Sequence, residues 1–494
     1  MSTNATELEL SLRMTQVENG INSFFLLTMG LIVFLMQCGF AFLEAGSVRS
    51  KNTTNILIKN LLDSCISGIC YWALGWALAY GKNTSVLAPF CGGSDFLAIG
   101  MEPNEYASWW FQFVFAATAS TIVSGALAER CEFVAYFAYC SALTAFVYPI
   151  VTHWAWDSDG WLSAGPGAGI TYVDFAGSGV VHVLGGTCAF VGAWLLGPRK
   201  GRFDENNGLD LKGHSVPFAA LGGFILMFGF FAFNGGSQLS ITGEGDGETV
   251  ALAMFNTMLC GGTAAITTLL VNKFSANHKW SLLLTINAAL AGMVSACAGC
   301  DKMYPWASLV VGIGSGLSYM GVARLVDMLK VDDPLDAVGV HFGGGLWGLF
   351  ITPILMKDKG IIYAGDTALP WGILGWNMLG AMVITLWSAV TLGLVFFLMK
   401  MLKLLRVPEE VEVKGLDIYK HGEPAYPLVA YGHGWADEIL KDHKLSPRER
   451  ARRLSQNLSL GASGFPTQAY ENAELHKRHM TTAIPEEPNG EHRF

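Results

Sequence analysis

Eleven stretches of about twenty mostly uncharged, apolar residues follow one another along this 494-residue chain, and that pattern restricts it to a helical membrane protein. Hydrocarbon offers the backbone no hydrogen bonds, so a segment crossing ~30 Å of it must satisfy its own N–H and C=O groups as a helix. The segments are 21–43, 61–80, 107–127, 133–152, 175–197, 215–238, 249–271, 278–298, 306–328, 335–356 and 371–405. Composition agrees: 14% of residues are charged, against about 25% in a soluble domain. Of the 31 Lys and Arg, 14 lie at or beyond Lys400, so the apolar body is nearly bare of them. The net charge of −9 therefore identifies no partner, and nothing marks a nucleic-acid surface.

An odd number of spans places the termini on opposite sides. With the N-terminus outside, the inner connections hold twelve Lys and Arg and the outer ones five, which fits the excess of positive charge on cytoplasmic loops. The expected order is an extracellular leader (1–20), an eleven-span body (21–405) and a cytosolic tail (406–494), the last mostly disordered after about 456. The leader lacks the basic start of a cleaved signal peptide. Asn4 and Asn83 are outward glycosylation sequons, whereas Asn52 and Asn457 face the cytosol.

Two segments repeat one pattern 159 residues apart. Asp174-Phe-Ala-Gly-Ser-Gly-Val-Val-His182 leads to Gly185-Gly186, and Asp333-Pro-Leu-Asp336-Ala-Val-Gly-Val-His341 leads to Gly344-Gly345. Each histidine falls early in an apolar span, the fifth and the tenth. Five spans separate them, so the halves at about 21–197 and 215–356 enter the membrane from opposite sides, with 371–405 appended. Inverted repeats bring equivalent helices together at mid-membrane, around a central pore. A titratable ring at that depth is costly and marks a substrate path. The fold expected is an all-α inverted five-helix repeat around that pore.

Five runs carry a resemblance to a known family: Phe113–Arg130, Asp174–His182, Phe233-Asn234-Gly-Gly-Ser237, Asp332–His341 and Gly415–Tyr426. In this order the chain resembles the ammonium transporters (the Amt/Mep group, relatives of the Rhesus proteins) from about residue 21 to 427. The resemblance implies a plasma-membrane homotrimer with one pore per subunit and no cofactor. It implies an outer ammonium site at Phe115, Trp156 and Ser237, a gate of Phe115 over Phe233, and a pore lined by His182 and His341. Asp174 is the family's buried acid beneath the outer site, and Asp333, Asp336 and Asn234 support the pore. Phe230 stands where bacterial members can carry Trp. Residues 415–426 resemble a tail segment that docks on a neighbouring subunit, with Tyr419 where plant members carry a regulatory Thr.

The chemistry agrees with these residues. Ammonium matches potassium in size and charge but alone can donate hydrogen bonds and shed a proton. Aromatic faces attract the cation, and a serine hydroxyl accepts an N–H. An intact charge at mid-membrane costs ~2.5–3.5 kcal/mol or more, which deprotonation avoids, and paired imidazoles can relay the released proton. The expectation is inward movement of ammonia and proton by separate routes, with net charge transfer. A neutral ammonia channel and a non-transporting ammonium sensor remain open. An intramembrane hydrolase does not, because no HExxH or GxSxG run accompanies the histidines. In the tail, Ser455 follows the basic run Arg448–Arg453, a candidate kinase site.

Overall fold

The computed structural model describes residues 2–204, 211–275, 278–365 and 367–427. Among them there are no strands, only isolated bridges and helices. Among the described residues nine helices are long and apolar enough to cross a membrane: α1 (Glu7–Ser47), α2 (Ser50–Tyr80), α4 (Phe133–Ala164), α5 (Ser178–Leu196), α6 (Val216–Gly236), α7 (Asp246–Phe274), α9 (Pro305–Met328), α10 (Val338–Leu355) and α11 (Ala368–Met401). Two further helices, α3 (Tyr106–Ala126) and α8 (Leu282–Ala296), occupy the places of the third and eighth expected spans. α3 is long enough but tempered by Gln, Ser and Thr, and α8 is only 15 residues. The fifth and tenth spans were expected at 175–197 and 335–356 and lie within a few residues of those limits.

The ends of α1 and α2 differ from expectation. The leader is helical from Ser2 and runs without interruption to Phe34, with Arg13 and Glu9 paired one turn apart at 2.8 Å. The second helix is regular from Thr53, eight residues before the expected start, because Asn55, Lys59 and Asn60 are buried against neighbours and not left in water. Lys59 Nζ donates to Cys131 O at 3.1 Å.

Burial sorts the helices into layers. Of their most apolar windows, 78% of α5 and 72% of α10 is buried, against 28% of α11. The two repeat helices are therefore the axis of the body, and α11 lies outside with large side chains such as Leu386 and Val390 exposed. α5 and α10 begin alike, each with one wide π-helical turn, Ser178–Val183 and Val338–Gly343. The preceding acid caps each turn. Asp174 Oδ2 accepts from Gly179 N (2.9 Å) and Val180 N (3.0 Å), and Asp333 Oδ2 accepts from Val338 N (2.7 Å). Gly177 and Asp336, also equivalent, both turn with positive φ, at 96° and 57°. Glycine takes that conformation freely, whereas an aspartate holds it at some cost. At the crossing, a Cβ on Gly186 would strike the backbone of Phe342, and one on Gly345 would strike Ser178 O. The two helices approach because both positions lack a side chain.

One compact unit runs from Met1 to Lys420, past the expected body limit at 405. After α11, a short helix, α12 (Glu409–Lys414), lies against the loops: Lys51 Nζ donates to Val413 O, Leu416 N to Asn52 Oδ1 (3.0 Å), Asn55 N to Asp417 Oδ1 (2.9 Å), and Lys420 pairs with Glu132 at 2.8 Å. The second unit, His421–Phe494, is described only to residue 427, so Ser455, Asn457 and the expected disorder after 456 lie outside the described residues.

A buried ion cluster braces this end. Arg199 grips Asp332 bidentately (Nε–Oδ2 2.7 Å, Nη2–Oδ1 3.0 Å) and reaches Glu129 at 3.1 Å, which also pairs with Arg49 at 2.9 Å. Burial alone would raise the Asp332 carboxyl, but the Arg199 and Arg130 guanidiniums outweigh it and hold it at about 2. Glu129 is likewise held below the usual range, burial being overcome by Arg49 and Arg199.

Candidate functional site

The site residues form a chain of ring contacts between two cavities of the unit. At one end is a cavity of about 140 Å³ lined by Phe115, Trp156 and Ser237. Trp156 stands at the end of the regular part of α4, where its indole N–H donates to Asp174 O at 2.8 Å. That bond joins the tryptophan to the acid capping α5. Its ring meets Phe115 edge-on, with centroids 6.0 Å apart. Ser237 Oγ, just past α6, donates to Phe233 O at 2.8 Å, which leaves its lone pairs free to accept an N–H.

Two groups in this wall escaped the sequence reading. Gln112 Oε1 and Tyr80 OH are buried polar atoms without a hydrogen-bond partner among the described residues, and both residues line the cavity. An unpaired buried acceptor is costly unless a ligand satisfies it. Gln112 precedes Phe115 by three residues, so one helical face carries both.

Beneath the cavity, Phe115 and Phe233 stack with centroids 3.9 Å apart and planes 23° apart. Both rings are fully buried. Next come the imidazoles. His182 Nδ1 and His341 Nδ1 are 3.1 Å apart and the rings are within 15° of coplanar alignment, with centroids 5.2 Å apart. A contact between two ring nitrogens holds one hydrogen, so one imidazole donates and the other accepts. Phe230 and Phe233 flank His182, at 5.7 and 5.6 Å between centroids. His182 Nε2 has no partner among the described residues.

His341 also lines a small cavity of about 30 Å³, together with Phe230 and Glu44 among others. It shares Leu43, Asn287 and Leu335 with a larger one of about 480 Å³, which holds Asp333 and Asp336. Asp333 thus lines this larger cavity, whereas Asp174 is joined to the first cavity through its carbonyl's bond from the Trp156 indole. Asp336 accepts from Tyr319 OH at 2.9 Å and Asn287 Nδ2 at 3.4 Å. Asn234 lies to one side, donating to Thr257 Oγ1 at 2.8 Å and accepting from Cys297 Sγ at 3.1 Å, so it ties α6 to α7 and the end of α8. No group of three or more His, Cys, Asp or Glu among the described residues is placed to hold a metal ion.

Residues 23–426 match the model of the Ammonium Transporter Family. A putative ammonium transporter 1 of Caenorhabditis elegans is 54% identical over 455 residues, covering 87% of this chain and 84% of the relative. Ammonium transporter 1 member 1 of Arabidopsis thaliana is 40% identical, covering 77% and 80%. Among solved structures, a sensor Amt protein superposes with a TM-score of 0.76 at 32% identity, covering 82% of this chain and all of that one. Mep2 of Candida albicans superposes with a TM-score of 0.69 at 25% identity, covering 79% and 87%.

Proposed function

This chain belongs to the ammonium transporter family, and on that premise we propose that it binds ammonium in the Trp156 cavity, removes one proton and passes ammonia between His182 and His341. The observation that carries the reading is the 3.1 Å imidazole contact, buried between two cavities and closed from the first by stacked phenyl rings.

The cation is held by the faces of Trp156 and Phe115 and by the acceptors Ser237 Oγ and Gln112 Oε1. Such contacts favour a desolvated cation by ~2 kcal/mol or more. Potassium gains the same aromatic attraction and can be coordinated by the same oxygens. It has no proton to give up, so it cannot go on as a neutral molecule and would carry its charge into the apolar path at a cost of ~2.5–3.5 kcal/mol or more. Deprotonation leaves a neutral molecule small enough to follow when the Phe115–Phe233 stack parts. The imidazoles offer ammonia one acceptor and one donor, and the shared Nδ1 hydrogen gives the proton a separate route. Ammonia and proton both move inward, so charge moves with the substrate. Asp174 acts indirectly, by fixing the start of α5 and, through its carbonyl, the Trp156 indole.

The reading extends to eleven membrane helices with the N-terminus outside, a homotrimer in the plasma membrane, and a tail open to a kinase. Exposed Phe24, Leu31, Leu61 and Trp194 supply apolar surface for lipid and for neighbouring copies. At Asn83, the side-chain nitrogen that a glycan would take donates to Cys91 O at 2.8 Å, so glycosylation there has to break that bond.

Voltage-clamp recording with external ammonium tests the mechanism. A saturable inward current is expected, and uptake without current would make the protein a neutral ammonia channel. A second reading, an ammonium receptor, draws on the 32% identity to a sensor Amt protein. Growth on low ammonium of cells lacking their own transporters separates the two, since a receptor would not restore it.

A further inference from the structure

Glu44 is an acid at the foot of the imidazole pair that the proposed mechanism leaves unused. It lies in the second half of α1, 1% exposed, and it lines the cavity of about 30 Å³ together with His341. That space holds about two waters. One carboxylate oxygen is fixed: Oε2 accepts from Asn60 Nδ2 at 2.8 Å and Ser124 Oγ at 3.0 Å. The other, Oε1, has no hydrogen-bond partner among the described residues and lies over Gly125, 3.6 Å from where a Cβ would stand. Gly125 also lines the cavity, and the absent side chain keeps Oε1 uncovered.

The other charged groups nearby are committed elsewhere. Lys59 Nζ is turned to Cys131 O, and Asp63 accepts from Ser120 (2.7 Å), Thr121 and Cys140 (2.9 Å); neither residue lines the cavity. Glu44 is therefore the one carboxylate among the described residues that shares this space with His341, and the larger cavity continues beyond it through Leu43, Asn287 and Leu335.

We propose that Glu44 is the proton acceptor of the inner half of the path, a role that rests on the transport reading above. A proton leaves the imidazole of His341 as its N–H bond breaks. It passes through cavity water and forms an O–H bond at Glu44 Oε1. The imidazole is neutral again, and the carboxyl then releases the proton to water in the larger cavity, returning to carboxylate. No oxidant or cofactor enters. Asn60 and Ser124 hold the side chain so that the same oxygen faces the cavity in both states.

Purified protein in liposomes tests this, with ammonium-evoked current and labelled ammonium uptake measured together on wild type, Glu44→Gln and Glu44→Asp. Gln keeps the shape and an oxygen for Asn60 and Ser124 but cannot titrate. Current is expected to fall roughly tenfold or more while ammonia still passes, and Asp is expected to restore part of it. Wild-type current in Glu44→Gln overturns the role of Glu44 and leaves transport standing. Uptake without any current in the unmutated protein also overturns it, because no proton then crosses; no uptake by the unmutated protein defeats the transport reading itself. Should the Gln protein fail to insert, Glu44→Asp against Glu44→Asn is the matched pair, with equal currents counting against the proposal.

Discussion

Asp174 and Asp333, 159 positions apart, each accept a hydrogen bond from the backbone N–H five residues on, at Gly179 (2.9 Å) and Val338 (2.7 Å). Each thereby starts a wide turn that ends with a histidine facing its counterpart. The two imidazoles meet because two separate loops are set by the same device. Both oxygens belong to loops at the helix starts, so either acid can be changed without touching the rings. Asp174→Asn keeps an acceptor but loses charge assistance, which roughly halves such a bond's strength. Ammonium current is expected to fall several-fold with the protein still folded, as read by current per copy and by thermal unfolding in detergent.

Carboxylates in place of the imidazoles should change what is carried. In His182→Asp or His341→Glu, a fixed negative group attracts any monovalent cation. Ammonium-over-potassium discrimination is expected to drop by at least about tenfold, equivalent to ~1.4 kcal/mol. Bi-ionic reversal potentials measure it, and unchanged selectivity would contradict a proton relay through the pair.

Trp156→Ala removes the largest cation-attracting face of the outer cavity. A loss of ~0.5–2 kcal/mol raises the half-saturating ammonium concentration between about twofold and thirtyfold. Trp156→Phe keeps a ring but loses the bond to Asp174 O, so it should fall between wild type and Ala. Concentration series of the current decide the order.

Gly186→Val pushes a branched side chain into the backbone of Phe342. Overpacking of this kind costs about 1–3 kcal/mol, and here it also separates α5 from α10. Both the melting temperature and the current should fall, whereas Gly262→Ala, which meets nothing within 4 Å, should alter neither.

The Arg199–Asp332 pair sets an acid limit. The Asp332 carboxyl is held at about 2, below the ~3.9 of an unfolded chain, so its contribution is complete above about pH 4 and is lost as pH falls toward 2. That contribution is of the order of 2 kcal/mol. Melting temperature against pH should therefore drop below about pH 4, and in Asp332→Asn the drop over that window should shrink. At neutral pH the same variant leaves Arg199 buried and half-paired, a loss of about 3–5 kcal/mol.

The membrane helices were legible in the sequence because hydrocarbon imposes a length and an absence of charge, and the repeat because its acid, histidine and glycines recur at fixed spacing. Glu44 and Asp63 were not. Each is a single acid in an apolar run, and the groups satisfying it (Asn60, Ser120, Thr121, Ser124, Cys140) come from three helices and share no spacing along the chain. Gln112 escaped for a similar reason: what distinguishes it is an unpaired oxygen, and only packing reveals that. Lys59 reads in the sequence as loop charge, because nothing in its neighbours signals that the Cys131 carbonyl, just before α4, waits for it.

With centroids 3.9 Å apart, the Phe115 and Phe233 rings leave no open bore between the outer cavity and the histidines. On the proposed route, throughput is counted in ring swings, one molecule to each, and raising the supply of ammonium cannot hurry them. Warming can, so the maximal rate should climb with temperature far more steeply than the viscosity of water declines.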